Sequence, residues 1–217
     1  MLERFRHIVI EGPIGVGKTT LARRLAQHLG AELVLEKPEE NPFLERFYAD
    51  GSRYALQTQL FFLFQRLEQM RELAQPGMFS RGVVSDFLFA KDALFAALTL
   101  SPEEHRLYRL IHAQTAAQVP QPDLVIWLQA SPDALVERIR GRGLRMERGI
   151  TRAYLQALCE AYGEHFRQPG GPPLLAVGTE YFNPASRNAD FELLLKRIAA
   201  FAGPREYFDP VNDWQGG

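Results

Sequence analysis

Hydrophobic positions along the chain alternate between two spacings. Short apolar runs rich in Val, Ile and Leu recur at residues 7–11 (HIVIE), 31–36 (AELVLE), 82–86 (GVVSD), 123–129 (DLVIWLQ) and 173–177 (PLLAV). Runs of this kind, bounded by turn residues, predict buried strands. Between them, apolar residues at helical spacing predict helices over 19–29, 54–73, 151–166 and 189–201. Ser101, with Pro102 next and Glu104 three residues on, predicts a further helix start, and Ser131-Pro132 predicts another after the fourth strand. Strands that alternate with helices predict parallel βαβ units, hence an α/β fold with helices on both faces of a five-stranded parallel sheet. Ligands of such sheets bind beyond the C-terminal ends of the strands. The residues after each strand therefore matter most. From Gly203 the chain turns rich in Pro, Gly and aromatics, which suggests one domain over 1–203 and an extended tail over 204–217.

Composition narrows the classes. At 217 residues, with no linker-like stretch, the chain reads as one domain. Lys and Arg total 25 against 26 Asp and Glu, so the basic excess expected of a partner for polymeric nucleic acid is missing. No segment reaches the roughly 20 apolar residues that span a bilayer. The richest run, 87–100, is broken by Lys91 and Asp92. The N-terminus lacks the apolar stretch of a signal peptide. Cys159 is the single cysteine, which suits a reducing compartment, and a cytoplasmic location is expected. His7, His28, His105, His112 and His165 show no metal-ligand spacing.

Gly12-Pro-Ile-Gly15-Val-Gly17-Lys18-Thr19 fits G-x-x-x-x-G-K-S/T and lies between a predicted strand and a predicted helix. Gly12, Gly15 and Gly17 let backbone N–H groups converge on a phosphate, Lys18 reaches the β/γ oxygens, and Thr19 offers a hydroxyl to Mg²⁺. ATP and Mg²⁺ are the implied cofactors. Asp86 ends the third strand, where a carboxylate can hold Mg²⁺ directly or through water.

Glu36 ends the second predicted strand, on the same sheet edge. It reads either as a carboxylate that takes a proton from an acceptor hydroxyl or as a surface residue of a charged turn with Glu39 and Glu40. Arg138, Arg140, Arg142 and Arg145 fall within eight positions, interleaved with Gly141 and Gly143. That pattern suits a mobile lid whose guanidinium groups neutralise phosphate charge, or a basic helix end. Gln59 and Arg66 are seven apart, on one face of the long helix, and suit either the edge of a heterocycle or plain exposure. Phe61, Phe62 and Phe64 read as core, and Tyr48 as an ordinary packing aromatic.

With these residues in hand, the chain resembles the P-loop deoxyribonucleoside kinases, in particular the bacterial deoxyadenosine and deoxyguanosine kinases, over about residues 6–198. The stretch LEKPEENPFLERFYADGSRYALQTQLFFLFQR is similar to the family's segment after strand two. The resemblance implies Glu36 as general base on a sugar 5′-hydroxyl, Tyr48 on the 3′-hydroxyl, and Gln59 and Arg66 on the base. In SDFLFAKDALFA it implies a magnesium-associated Asp86 and a base-side Asp92. In RIRGRGLRMERGITRAYL it implies a lid at about 138–149, with Arg138 and Arg142 on the phosphates and Glu147 at the 3′-hydroxyl. A homodimer is implied too. Two positions depart from the family pattern. Phe87 stands where an arginine usually follows the acid, leaving Arg81, Lys91 or a lid arginine to take its place. Leu144 stands where a lid arginine is common.

The expected activity is transfer of the ATP γ-phosphoryl group to the 5′-hydroxyl of a deoxyribonucleoside. A purine acceptor is favoured, with deoxycytidine a further option, and Glu36, Lys18 and Arg142 carry catalysis. A thymidylate-type monophosphate kinase is the alternative, which Phe87 and Glu36 disfavour. A slow nucleotide-dependent switch is the third, and no segment has the look of a dedicated partner surface.

Overall fold

The computed structural model describes residues 4–73, 82–116 and 120–210. Its strands are β1 (His7–Glu11), β2 (Glu32–Val34), β3 (Val83–Ser85), β4 (Leu124–Gln129), β5 (Leu174–Gly178) and β6 (Arg205–Phe208). Its helices are α1 (Lys18–Leu29), α2 (Leu44–Ala49), α3 (Gly51–Leu73), α4 (Lys91–Thr99), α5 (Pro102–Ala116), α6 (Pro132–Arg142), α7 (Arg152–Arg167) and α8 (Asn188–Ala200). The strands form one sheet in the order β2-β3-β1-β4-β5-β6, and every pairing is parallel.

Strand alternation divides the core in two. Ile8 and Ile10 of β1, Leu124, Ile126 and Leu128 of β4, and Leu175 and Val177 of β5 pack with α1 and α8 through Leu21, Leu25, Leu194 and Ile198. Val9, Val125 and Leu174, one position out of phase, pack with α4 and α7 through Leu94, Leu158, Tyr162 and Phe166. With both faces covered, β1, β3, β4 and β5 carry no exposed side chains, which is why they read as unbroken apolar runs. The helix starts are formed as their sequences require. Ser101 and Glu104 cap one another reciprocally, the Glu104 N–H donating to Ser101 Oγ at 3.3 Å and the Ser101 N–H to Glu104 Oε2 at 2.9 Å. Ser131 Oγ accepts from the Ala134 N–H at the start of α6, and Thr151 Oγ1 from the Tyr154 N–H at the start of α7.

The sheet has six strands, not the five expected. Residues 205–208, assigned to an extended tail, pair in parallel with β5. Only Phe208 of this strand is buried, meeting Phe182 ring to ring at 5.6 Å, so REYF shows no apolar run. The β2 strand is shorter than expected, which leaves Glu36 two residues past its end. Helices α2 and α4 carry no strong spacing signal; α4 lies inside the apolar run 87–100. Arg81 lies outside the described residues. Among the described residues, no helix is long and apolar enough to cross a membrane.

Replacing Phe208 with Ala should destabilise the protein by about 3 kcal/mol, the usual cost of a buried Phe→Ala cavity. Urea unfolding checks this; a loss below about 1 kcal/mol would mean that β6 is not part of the cooperative fold.

Candidate active site

The loop between β1 and α1 is built on glycines at positive φ. Gly12 has φ 146°, and a Cβ there would fall 2.4 Å from the Leu128 carbonyl oxygen. Gly17, at φ 107°, is the N-cap of α1, so this helix end presents backbone N–H groups rather than a side-chain cap. Lys18 Nζ donates to the carbonyl oxygens of Gly12 at 2.7 Å and Pro13 at 3.0 Å, which lays it across the loop. Burial, reinforced by the nearby Lys91 ammonium, lowers the Lys18 pKa to about 8 against the pull of Glu11, Glu36 and Asp86.

The Thr19 hydroxyl donates to Asp86 Oδ2, and Asp86 Oδ1 accepts the Glu36 N–H at 2.7 Å. One carboxylate thus ties the loop helix, the end of β3 and the segment after β2. Burial pushes the Asp86 carboxyl up, and these two hydrogen bonds oppose the shift. Among the described residues, no group of three or more His, Cys, Asp or Glu gathers as a metal cluster. The Thr19–Asp86 pair nevertheless matches what Mg²⁺ takes from proteins: few hard oxygens, with phosphate and water completing the shell.

Glu36 is the electrostatic centre. Its Oε1 is held by Arg66 and its Oε2 by Lys91 Nζ at 3.1 Å. Burial alone would raise this carboxyl, but Lys91, Arg66 and Lys18 outweigh it and hold the pKa at about 2. The surface-turn alternative for Glu36 is therefore excluded. The other end of the Arg66 guanidinium grips Asp92, which is fully buried. Burial dominates there, and the Asp92 pKa rises to about 7 despite the guanidinium.

A cavity of about 150 Å³ joins Gly15, Lys18, Thr19, Glu36 and Asp86 to Tyr48, Gln59, Arg66, Arg142 and Glu147. Its apolar walls include Phe62 and Phe95. Gln59 is buried and donates to Thr99 Oγ1 at 3.3 Å. Arg142, on the last turn of α6, forks onto Glu147. Tyr48 lies close enough to Glu147 and Glu36 that both carboxylates, after burial, raise its pKa. A Cβ on Gly149 would come within 2.3 Å of the Tyr48 carbonyl oxygen, so the end of the lid is seated on α2.

Some expected site residues lie elsewhere. Asp92 stands behind Arg66 and does not line the cavity. Arg138 is turned to Thr179, whose hydroxyl and carbonyl oxygens accept from it. Arg145 points outward to Glu45 at 3.3 Å. The phenylalanine run is not uniformly core: Leu63 is, Phe64 is 56% exposed, and Phe62 faces the cavity with the Arg66 guanidinium 5.2 Å from its ring. Phe87 is fully buried against Met70 and Val83.

One structural carboxylate escaped the pattern. Glu11, at the end of β1, is completely buried. Its Oε1 accepts from the Gly12 N–H and the Tyr162 hydroxyl, and its Oε2 from the Leu88 N–H, each at 2.8 Å. An acid closing an otherwise apolar strand was the available signal.

Residues 8–201 match the family described as deoxynucleoside kinase. A deoxyguanosine kinase of Bacillus subtilis is 36% identical over 199 residues, covering 89% of this chain and 94% of its own. A deoxyadenosine/deoxycytidine kinase of the same organism is 29% identical, covering 89% and 91%. Among solved structures, a deoxyadenosine kinase from M. mycoides superposes with a TM-score of 0.75 at 24% identity, covering 90% of this chain and all of that one.

Because the Lys18 pKa is lowered to about 8, ATP should bind with proton uptake above that pH. Its affinity should fall towards about tenfold per unit as Lys18 loses its charge. Calorimetric titration in two buffers of different ionisation enthalpy measures both. An affinity flat to about pH 9.5 would contradict this lowered value.

Proposed function

The chain belongs to the deoxynucleoside kinase family, and from that premise we propose that it transfers the γ-phosphoryl group of ATP to the 5′-hydroxyl of a purine deoxyribonucleoside, with Glu36 taking the hydroxyl proton. The observation that carries this reading is the position of Glu36. An ionised carboxylate lines the same cavity as Lys18 and Thr19, with Tyr48, Gln59, Arg66 and Glu147 around the rest of the wall. A neutral sugar alcohol needs a proton acceptor there, whereas a phosphate acceptor would be repelled by it.

A carboxylate held at about pKa 2 is a weak base. That is compatible with a loose phosphoryl-transfer transition state, in which the nucleophile surrenders its proton late. Position therefore matters more than basicity, and the grip of Arg66 and Lys91 supplies it. Lys18 and the N–H groups of the loop hold the triphosphate. Arg142 neutralises charge on the transferred group. Thr19 and Asp86 would hold Mg²⁺, which when bound neutralises charge on the phosphate oxygens. Tyr48 and Glu147 are placed to take a sugar 3′-hydroxyl. Gln59 and Arg66 face the base, with Asp92 fixing the guanidinium from behind. Their hydrogen-bonding capacity favours a purine, in line with the names of the relatives.

We propose further that a homodimer forms through exposed apolar residues of α5, where Leu107 and Leu110 are 49% and 68% exposed. Sedimentation should show a dimer that the Leu107→Glu, Leu110→Glu double variant converts to monomer; an unchanged dimer would place the interface elsewhere.

Glu36→Gln should lower kcat by about 10²- to 10⁴-fold, the range for losing a general base, with ATP affinity within about threefold of the parent. The assay spans all natural nucleosides and their monophosphates. Wild-type turnover in the variant, or phosphorylation of monophosphates alone, would overturn the reading.

A further inference from the structure

Lys91 is buried, 6% exposed, yet it is the first residue of α4. Two effects oppose an ammonium there: the loss of water, and the positive end of the helix dipole. What offsets them is carboxylate charge. Lys91 Nζ sits 3.1 Å from Glu36 Oε2 and within the field of Glu11. The side chain also runs along Phe95, one turn on, with Nζ 5.3 Å from the ring centroid, which fixes its path. Lys91 lines the same cavity as Lys18 and Thr19.

The other cations near the reacting end are engaged differently. Arg66 divides its fork between Glu36 and Asp92. Lys18 lies on the phosphate loop. Arg142 is on Glu147, and Arg138 on Thr179. The position after Asp86 is the buried Phe87, which carries no charge. Among the described residues, Lys91 alone touches the Oε2 side of the carboxylate.

We propose that Lys91 is a positioning residue for the phosphoryl transfer: it orients Glu36 and sets positive charge beside the oxygen from which the proton leaves. This rests on Glu36 acting as the general base. The groups facing Glu36 are Lys91 from α4, Arg66 from α3, Lys18 from α1 and Asp86 from the end of β3. With Lys91 removed, Arg66 is left as the side chain that holds the Glu36 carboxylate, at Oε1 only.

The test is steady-state kinetics of Lys91→Met, Lys91→Arg and the double variant with Glu36→Gln, with thermal unfolding to verify folding. Lys91→Met should lower kcat by about 30- to 300-fold, the scale of one lost electrostatic contact, while the KM for nucleoside changes by less than about fivefold. Lys91→Arg, which keeps the positive charge, should recover most of the rate. In the Glu36→Gln background, Lys91→Met should cost no more than about threefold, because its partner is already gone. The full loss persisting in the Glu36→Gln background would overturn the role for Lys91 and leave Glu36 standing. Wild-type turnover in Glu36→Gln alone would instead remove the general base itself. If Lys91→Met does not fold, the rate of Lys91→Arg decides: an arginine that lowers kcat by about 30-fold or more overturns the proposal.

Discussion

Four carboxylates, Glu11, Glu36, Asp86 and Asp92, and three cations, Lys18, Arg66 and Lys91, are packed together at the C-terminal edge of the sheet. Each alone would be costly to bury. Together they form a connected set: Glu11 holds the loop and the segment after β3, Asp86 holds Thr19 and the Glu36 backbone, and Arg66 spans Glu36 and Asp92. Buried ion pairs contribute little net stability compared with apolar packing of similar volume. An apolar replacement would suit the fold and leave the cavity chemically inert. In the proposed reaction the charge set has a use beyond stability: it presents fixed dipoles and charges that need no rearrangement when the phosphoryl group moves.

The scaffold makes that set possible. Each carboxylate lies at or just beyond a strand end, or on the first turn of a helix that follows. Parallel strands bring those ends to one edge, and the two apolar layers beneath them are tight enough to fix their heights. The opposite wall of the cavity is helical. It rests on α3, whose face carries Gln59, Phe62 and Arg66 at three- and four-residue spacing.

What the sequence shows and hides follows from the same physics. The phosphate loop, the first five strands and the caps at Ser101, Ser131 and Thr151 are local features, and local spacing reveals them. Glu36, Tyr48 and Glu147 are far apart in the chain, and only a family resemblance placed them together before the fold did. β6 was hidden because an edge strand with one buried residue has no apolar period. Phe62 was hidden because helical spacing says which residues share a face but not whether that face meets a core or a cavity. Lys91 was legible as one of three replacements for a missing arginine. Distances separate two of them: Lys91 reaches Glu36, while Arg142 is turned to Glu147.

The exchange at Phe87 and Lys91 joins packing to chemistry. A residue directly after β3 has two possible neighbourhoods, the apolar layer under Met70 and Val83 or the polar edge above it. Phe87 takes the first completely. It extends the core to the base of the site, and the Arg66 guanidinium lies 5.8 Å from its ring. The cation on the Oε2 side of Glu36 comes from further along, on the first turn of α4. It is a lysine. Its thin stem passes beside Phe95, and a single ammonium fits against one carboxylate oxygen where Arg66 already occupies the other. The cost is a charge at the wrong end of a helix. That cost falls on a short helix pinned by α3, α5 and α7, where the surrounding packing can bear it.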